Sequence, residues 1–219
     1  MGNLNENSLA YYSLNNFYEL FSATEDFPGL ISKKLEQYSA NKTVLDAGCG
    51  TGKFYNALSR KSKTYLGIDK SEEQIKIASQ KNNGKFTTCD LLDLNLTKNK
   101  FDIIVSCWCL GTIELNKRIE VLNNLKQHCN ESIFLIENLP NSEFEKIRYG
   151  NNDYKTKEYL SFLDNNNFKL FDTIDTFFKF NSVEEAKEIF TKIYNKKIAE
   201  NINSNTIQHK VGIFRLDVK

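Results

Sequence analysis

The sequence predicts an α/β fold in which a mostly parallel, doubly wound sheet carries helices on both faces. From residue 43 onward, short apolar runs of strand length alternate with segments whose apolar residues repeat at helical spacing. Parallel strands need a crossover helix between them, so this alternation is typical of βα units. No glycine- or serine-rich linker divides the chain, and we therefore expect a single domain over residues 1–219.

The individual elements are predicted from local patterns. Strands are expected at residues 44–47, 64–68, 86–89, 101–109, 133–136, 171–180 and 207–216. Ser71 and Gln74 form a capping-box pattern at the start of one helix, Thr156 is expected to cap a second, and Ser182 begins a third. The apolar positions expected to be buried on helices are Phe54, Leu58, Ile119, Leu122, Leu125, Tyr159, Leu160, Leu163, Ala186, Ile189, Phe190 and Ile193.

The two ends of the chain are richer in aromatic residues than its centre. Residues 1–40 are predicted to form one or two helices, interrupted near Pro28. Their aromatic and apolar face comprises Tyr11, Tyr12, Leu14, Phe17, Tyr18 and Phe21. At the other end, a strand, a helix and a final strand permit an antiparallel pair at one edge of the sheet.

Composition narrows the possible functions. Lys and Arg number 29 against 28 Asp and Glu, which leaves a net charge of +1 without a long basic run, so nucleic acid is not favoured as a partner. The longest apolar stretches are far below the ~20 residues of a membrane-spanning helix. The N-terminus lacks the pattern of a secretory signal, and five scattered cysteines indicate reduced thiols. We expect a cytoplasmic protein with no membrane partner.

A glycine-rich segment follows the first predicted strand. Residues 46–52 read Asp-Ala-Gly-Cys-Gly-Thr-Gly and lead into a helix. Without Cβ atoms the backbone turns sharply and lets a ligand approach, and ligands of doubly wound sheets bind at this end of the strands. Asp69 ends the second strand about 20 residues later, where a carboxylate can accept both ribose hydroxyls of an adenosine. Asp90 ends the third strand, in a position to receive an adenine amine, with Leu91 beside it.

Two other nucleotide-binding motifs fit this turn less well. The dinucleotide motif Gly-x-Gly-x-x-Gly requires glycine where this chain has Lys53. The phosphate-binding loop requires glycine at the position of Ala47 and a hydroxyl at the position of Phe54. Nicotinamide dinucleotides and nucleoside triphosphates are therefore disfavoured as ligands.

The glycine turn, Asp69, Asp90 and the sequence Phe-Asp-Ile-Ile-Val-Ser at 101–106 together resemble the class I S-adenosylmethionine-dependent methyltransferases. The resemblance implies a Rossmann-like, doubly wound sheet of seven strands, mostly parallel with a reversed C-terminal strand. It also implies S-adenosylmethionine as cofactor and S-adenosylhomocysteine as product. Residues 1–40 would form a helical lid, residues 41–140 the cofactor-binding half, and residues 141–219 the substrate-side half with a C-terminal hairpin.

The same resemblance assigns roles to individual residues. It places the glycine turn against the methionine part of the cofactor, Asp69 on the ribose, and Asp90 with Leu91 on the adenine. The backbone at Ser106 and Cys107 would contact the amino-acid end. The residues expected to bind the cofactor are Asp46, Gly48, Cys49, Gly50, Gly52, Asp69, Lys70, Asp90, Leu91, Ser106 and Cys107. Those expected to line the substrate site or the lid are Tyr11, Tyr18 and Trp108.

Catalytic residues are harder to assign. A methyl group on a sulfonium is already activated, so transfer needs a nucleophile held in line at ~3 Å with water excluded. Many similar enzymes carry a histidine shortly after the fourth strand, where this chain has Thr112. Glu137, after the fifth strand, is the candidate general base. His128 and His209 are also candidates, but structural roles are favoured for both.

A metal site is not predicted. Cys107 and Cys109 lie two residues apart in a predicted extended strand, where both thiols share one face. No second pair of ligands follows them, so buried core cysteines are the favoured interpretation.

The sequence therefore predicts an enzyme that transfers a methyl group to an O or N atom of a small molecule, as a monomer or homodimer. Two alternatives remain open. One is a methyltransferase that acts on tRNA or on protein side chains, and the other is a noncatalytic, methyltransferase-like partner subunit.

Overall fold

The computed structural model describes residues 15–94, 96, 100–150, 152 and 154–218. The strands are β1 (Thr43–Ala47), β2 (Thr64–Asp69), β3 (Phe86–Thr88), β4 (Phe101–Cys107), β5 (Cys129–Asn138), β6 (Lys169–Lys179) and β7 (Thr206–Asp217). The helices are α1 (Asn15–Thr24), α2 (Leu30–Ser39), α3 (Tyr55–Ser59), α4 (Glu72–Lys81), α5 (Leu115–Gln127), α6 (Glu143–Tyr149), α7 (Tyr154–Asn165), α8 (Val183–Ile193) and α9 (Lys196–Ala199). Short 3₁₀ turns occupy Leu91–Asp93 and Leu110–Thr112. No helix in the described ranges is long and apolar enough to cross a membrane.

The strands form one seven-stranded sheet in the order β3-β2-β1-β4-β5-β7-β6. β1 pairs in parallel with β2 and β4, β2 with β3, and β4 with β5. β7 runs the other way, because the Leu139 N–H donates to the Lys210 carbonyl while the Val218 N–H donates to the Glu131 carbonyl. The predicted Rossmann-like sheet with a reversed C-terminal strand is therefore confirmed.

Contacts divide the chain into two compact units. The first unit comprises Met1–Ile31 and Asn138–Gly212, and the second unit comprises Ser32–Glu137 and Ile213–Lys219. The single domain expected over residues 1–219, with its three functional parts, stays a prediction.

The second unit is built around β1 and β4. Both strands are buried along almost their whole length, because each lies inside the sheet with a neighbour on either side. Their apolar runs supply Leu45 and Ile104, neither of which is accessible to solvent. The register sets Asp46 of β1 beside Gly67 of β2 and Val105 of β4. The carboxyl ends of these strands thus bring their terminal polar residues close together.

The first unit has an aromatic core. Phe21 of α1, Phe178 of β6 and Phe190 of α8 pack in it with neighbouring rings at centroid distances of 5.0 to 6.4 Å. α8 buries the predicted stripe, and Ser182 caps it by accepting the Glu185 N–H. Aromatic residues from both ends of the described chain therefore form a common core within this unit.

The end of β4 differs from the prediction. The strand stops at Cys107, because Trp108 adopts a left-handed conformation with φ of 49° and Cys109 begins a 3₁₀ turn. Cys107 and Cys109 therefore do not share the face of an extended strand.

Three helix predictions also need correction. Thr156 lies inside α7 rather than at its start, and its hydroxyl donates to the Glu145 carboxylate. Ile119 is 46% exposed, because Arg118 takes the buried side of α5 and donates to the carbonyls of residues 111 and 113. Ser71 caps α4, because its hydroxyl accepts the Gln74 N–H. The capping box also predicts that the Gln74 side chain accepts the Ser71 N–H, but that N–H donates to an Asp69 oxygen instead.

Candidate active site

The turn after β1 has an unusual backbone. Gly48, Gly50 and Gly52 have φ values of 80°, 54° and 76°, in the left-handed region that residues with a Cβ rarely adopt. The N–H groups of Gly48 and Cys49 both donate to the Ile68 carbonyl, at 2.8 and 2.9 Å, and the Gly52 N–H donates to the Cys49 carbonyl at 3.0 Å. Because these N–H groups are paired within the protein, the turn does not present them to a phosphate. This agrees with the prediction that nicotinamide dinucleotides and nucleoside triphosphates are not the ligands.

The space left by two of the glycines is filled by the protein itself. A Cβ on Gly48 would lie 2.3 Å from the Cys109 sulfur, and one on Gly52 would lie 2.6 Å from Asn82 Nδ2. Packing therefore requires glycine at both positions, whether or not a ligand is bound. Contact between the cofactor and the backbone here stays a prediction.

Asp69 joins the end of β2 to the glycine turn. Its side chain is 8% exposed, with Oδ2 accepting the Gly50 N–H at 3.0 Å and Oδ1 accepting the Ser71 N–H at 2.9 Å. A carboxylate offers about four acceptor positions, so room remains for a hydroxyl group of a ligand. Burial raises the pKa of Asp69, while backbone hydrogen bonds from Ser71, Gly50 and Lys70 and the charge of Lys70 oppose that shift.

Asp46 is a second buried carboxyl beside the same turn. It is 3% exposed, and the Tyr65 hydroxyl donates to its Oδ2 at 2.9 Å. The pKa of Asp46 is raised to about 7, mainly by burial and to a smaller extent by the charge of Asp69, and the Tyr65 hydrogen bond opposes this rise. Two acidic groups held this close repel phosphate and favour a ligand that carries positive charge.

Within the described part of the chain, the turn holds one buried hydroxyl that lacks a partner. Thr51 Oγ1 is buried and has no hydrogen-bond partner among the described residues. Buried hydroxyls are nearly always paired, so a polar group of a bound molecule would satisfy it. This hydroxyl and the room left at the Asp69 carboxylate fit a ligand that brings hydroxyl and amino groups, as S-adenosylmethionine does.

Ser106 and Trp108 continue the site from the end of β4. The Ser106 hydroxyl donates to the Ala47 carbonyl at 2.8 Å and ties the ends of β1 and β4 together. The half-buried Trp108 ring lies 6.0 Å from the Phe54 ring, and the Lys53 ammonium lies 5.3 Å from the Trp108 ring. Trp108 is therefore brought to the glycine turn, although its place in the sequence does not show this.

The thiols near the turn are not activated. Burial, followed by the charges of Asp46 and Asp69, raises the pKa of Cys49 above its usual range. Burial likewise raises the pKa of Cys109 to about 12. Thiols with raised pKa values are poor nucleophiles. No cluster of metal-binding side chains occurs in the ranges that the structure describes, and no disulfide joins the five cysteines, all of which lie in those ranges.

The remaining predicted cofactor residues lie at the ends of β2, β3 and β4. Asp90 is exposed and accepts the Leu92 N–H at 2.9 Å, capping a 3₁₀ turn, while Leu91 beside it is buried. Lys70 is exposed next to Asp69, and Cys107 is half-buried as the last residue of β4.

The candidate bases occupy different places. Glu137 lies within β5 rather than after it and is 5% exposed. His128 ends α5 with Nε2 3.0 Å from the Leu94 carbonyl. His209 is buried in the first unit, with Nε2 2.8 Å from Asn138 Oδ1. The structural roles favoured for the two histidines stay predictions.

The two tyrosines assigned to a lid have different outcomes. Tyr18 lies on α1 and packs against the aromatic core of the first unit. Tyr11 lies outside the described residues. A role for either at the substrate site stays a prediction.

Sequence reasoning missed Tyr65 and Cys109. Side chains alternate along a strand, so Tyr65, Gly67 and Asp69 share one face of β2. That alternation places Tyr65 on the face of Asp69, but it does not reveal the bond to Asp46, which depends on the register of β1 against β2. The contact between Cys109 and Gly48 had no such signal.

Comparison with known proteins agrees with this geometry. Residues 44–132 match the sequence model of a methyltransferase domain. A putative methyltransferase of Invertebrate iridescent virus 6 is 40% identical over 104 residues, which cover 45% of this chain and 38% of that protein. A malonyl-[acyl-carrier protein] O-methyltransferase of Buchnera aphidicola is 28% identical over 207 residues, which cover 89% of this chain and 82% of that protein. The chain thus spans well under half the length of the viral relative.

Solved structures share the fold. Magnesium protoporphyrin IX methyltransferase from Synechocystis, with bound S-adenosylmethionine, has a TM-score of 0.50 at 16% identity, covering 84% of this chain and 76% of that one. The N-methyltransferase NodS from Bradyrhizobium japonicum, in complex with S-adenosylhomocysteine, has a TM-score of 0.52 at 15% identity, covering 83% and 82%.

The matched segment, residues 44–132, contains the glycine turn, Asp46, Asp69 and Asp90. The acidic groups of this turn favour a cationic nucleoside over a phosphate. The sequence matches and the sheet order agree with that preference. S-adenosylmethionine is the cofactor that these findings support. The chain is therefore similar to methyltransferases, in sequence over residues 44–132 and in fold over most of its length.

Proposed function

We propose that this protein is a methyltransferase that transfers the methyl group of S-adenosylmethionine to an oxygen or nitrogen atom of a small molecule, with the cofactor held at the glycine turn of the second unit. The observation that carries the proposal is the pair of buried carboxyl groups at that turn, Asp46 and Asp69. Burial disfavours their charged forms, so a ligand that brings positive charge and hydroxyl groups gains more there than a phosphate ester does. S-adenosylmethionine carries a sulfonium, an ammonium and a ribose.

Each residue then has a role that follows from its surroundings. Asp69 accepts a hydroxyl of the ribose, because its backbone contacts leave room for one. The amino-acid end of the cofactor is held by Asp46, by the backbone of residues 48–50 and by the backbone at Ser106 and Cys107. Asp90 receives the adenine amine, beside Leu91, while Lys70 and Gly52 flank these contacts.

The cofactor supplies an activated methyl group, so the protein has to orient the acceptor and exclude water. Trp108 offers a flat apolar surface near the turn, held by Phe54 and Lys53. Such a surface suits a small acceptor with an apolar or aromatic part. The net charge of +1 does not favour a strongly charged one.

An oxygen acceptor has additional support from a relative. The Buchnera protein, which covers most of the chain, is a malonyl-[acyl-carrier protein] O-methyltransferase by name. The alternatives are an RNA or protein acceptor and a noncatalytic partner subunit. We propose a cytoplasmic location and a monomer or homodimer, in keeping with five cysteines that form no disulfide within the described part of the chain.

Calorimetry tests the cofactor assignment directly. We expect heat on titration with S-adenosylmethionine and S-adenosylhomocysteine, and none with NADH. At protein concentrations of about 100 µM, roughly ten times a dissociation constant of about 10 µM, no heat with either sulfur compound would contradict the proposal. Binding of tRNA that weakens steeply with salt would instead favour the RNA alternative.

Asp69→Ala should weaken S-adenosylhomocysteine binding by about 10- to 100-fold, since its hydrogen bonding to the ribose is lost. Isothermal calorimetry measures the change. Asp164→Ala serves as a control, because Asp164 is exposed and forms an ion pair with Lys169. Equal affinities for wild type and Asp69→Ala would refute the ribose assignment.

Glu137→Gln should lower the methyl-transfer rate by about 100-fold if Glu137 is the general base, with the affinity for S-adenosylmethionine unchanged. Release of S-adenosylhomocysteine can be followed with a panel of small phenols, carboxylic acids and amines as acceptors. Glu131→Gln is the matched control, because Glu131 also lies on β5 but is exposed and paired with Lys42. A full rate in Glu137→Gln would assign Glu137 a structural role.

A further inference from the structure

The Tyr65 side chain reaches from β2 to Asp46 on β1. Its hydroxyl donates to Asp46 Oδ2 at 2.9 Å. Tyr65 is half-buried and precedes Gly67 and Asp69 on the same face of β2. The hydrogen bond therefore connects a strand outside the glycine turn to one of the turn's two carboxyl groups.

Gly67 makes this reach possible. In the parallel register Asp46 lies beside Gly67, and Tyr65 passes over the position where a residue-67 side chain would stand. A Cβ on Gly67 would lie 2.8 Å from the Tyr65 hydroxyl oxygen and 2.6 Å from Phe86 Cδ1. Any larger residue there would displace the tyrosine from the carboxyl group.

Neighbouring rings fix the orientation of Tyr65. Its ring lies 5.1 Å from Tyr55 with an interplanar angle of 80°, and 5.7 Å from Phe86 at 68°. Edge-to-face pairs of this kind are favourable and restrict rotation. Burial and the Asp46 charge raise the pKa of Tyr65 well above its usual range, so the hydroxyl remains a donor.

We infer that Tyr65 is a positioning residue for cofactor binding, whose hydroxyl keeps the Asp46 carboxylate charged and oriented toward the cationic amino-acid end of S-adenosylmethionine. The inference rests on the proposed function and deepens it, since it names a residue that does not touch the cofactor but sets its affinity. Tyr65 acts through Asp46 alone.

The direction of the effect follows from the groups around Asp46. Tyr65 and Asp69 face it from β2, and Cys49 approaches from the turn. Burial raises the pKa of Asp46 to about 7, and the tyrosine hydrogen bond counteracts that rise. Without the hydroxyl the pKa of Asp46 would increase further, so a larger share of Asp46 would be neutral at pH near 7. Affinity for a cationic ligand would then fall at that pH and recover as the pH increases.

Tyr65→Phe tests the inference by calorimetry with S-adenosylhomocysteine at several pH values. We expect about fivefold weaker binding near pH 7, shrinking to within about twofold near pH 8.5. Tyr55→Phe is the matched control, because it removes a hydroxyl from the same ring cluster and should leave the affinity unchanged at both pH values. A loss that is equal at the two pH values, or that also occurs in Tyr55→Phe, would overturn the inference.

A second measurement needs no cofactor. Carbon-13 NMR of labelled aspartate, assigned with Asp46→Asn, follows the Asp46 carboxyl titration directly, and Tyr65→Phe should move its midpoint to higher pH. Gly67→Ala should produce the same shift, because its methyl group displaces the tyrosine. An unmoved midpoint in both variants would overturn the inference even if wild-type protein binds S-adenosylhomocysteine. Failure of the wild type to bind that compound would instead overturn the proposed function.

Discussion

Asp46→Asn should make the protein more stable without cofactor near pH 8, while removing most of its affinity for S-adenosylmethionine. Burial raises the pKa of Asp46 from 3.8 to about 7, so the folded state holds this proton more tightly than the unfolded state. Stability contributed by Asp46 is therefore greatest below about pH 4 and is lost as the pH rises toward 7. A shift of about three pKa units corresponds to roughly 4 kcal/mol, a cost that asparagine avoids while still accepting the Tyr65 hydrogen bond.

Denaturant unfolding at about pH 5 and about pH 8 measures the first half of this prediction. The advantage of asparagine should be large at the higher pH and should shrink at the lower one. Asp164→Asn, on an exposed helix position, provides the control and should change stability little at either pH. An Asp46→Asn variant that is less stable than wild type at the higher pH would show that the buried charge is not a cost to the fold.

Calorimetry measures the second half. Loss of a charge-assisted hydrogen bond should weaken S-adenosylhomocysteine binding by about 10- to 100-fold. A gain in stability together with a loss of binding would mean that Asp46 is retained for the ligand and not for the fold. Unchanged binding would assign Asp46 a structural role and leave Asp69 as the acidic group of the turn.

Local patterns in the sequence were sufficient for most of the fold. The apolar run that forms β1, the Ser182 cap and the buried stripe of α8 depend on residues within a few positions of one another. Such short-range signals predict the alternation of strands and helices, and this alternation in turn predicts a parallel sheet. The glycine turn and Asp69 were predictable for the same reason, because each stands directly at the end of an apolar strand.

Features that no local sequence pattern marks were not predicted. Trp108 has a left-handed backbone that no glycine or proline marks in the sequence. It ends β4 at Cys107, two residues before the predicted end of the strand. Arg118 takes the buried side of α5 because carbonyl groups of a preceding turn accept its hydrogen bonds. The bond between Tyr65 and Asp46 requires the register of β1 against β2, which a strand pattern alone does not give. The prediction that Ile119 is buried was wrong because Arg118 occupies the buried side of α5.

Gly48→Ala should destabilise the second unit and disrupt the turn. Gly48 has a φ of 80°, and a Cβ there would lie 2.3 Å from the Cys109 sulfur and 2.6 Å from its Cβ. A left-handed alanine costs about 1–2 kcal/mol, and forcing an extra carbon into a packed site costs about 1–3 kcal/mol more. We expect a total loss of roughly 2–5 kcal/mol in the free energy of unfolding, with weaker S-adenosylhomocysteine binding in the protein that still folds.

Two further variants separate the backbone strain from the steric clash. Gly29→Ala has a similar φ of 90° with nothing within 4 Å of the added Cβ, so it should lose the strain contribution of about 1–2 kcal/mol alone. Cys109→Gly removes both clashing atoms, so adding Gly48→Ala to it should cost no more than Gly29→Ala costs in the wild type. A double-mutant cycle on unfolding free energies gives the coupling between positions 48 and 109. If that coupling is zero, the glycine is required for its backbone conformation only, and the contact with Cys109 has no part in shaping the turn.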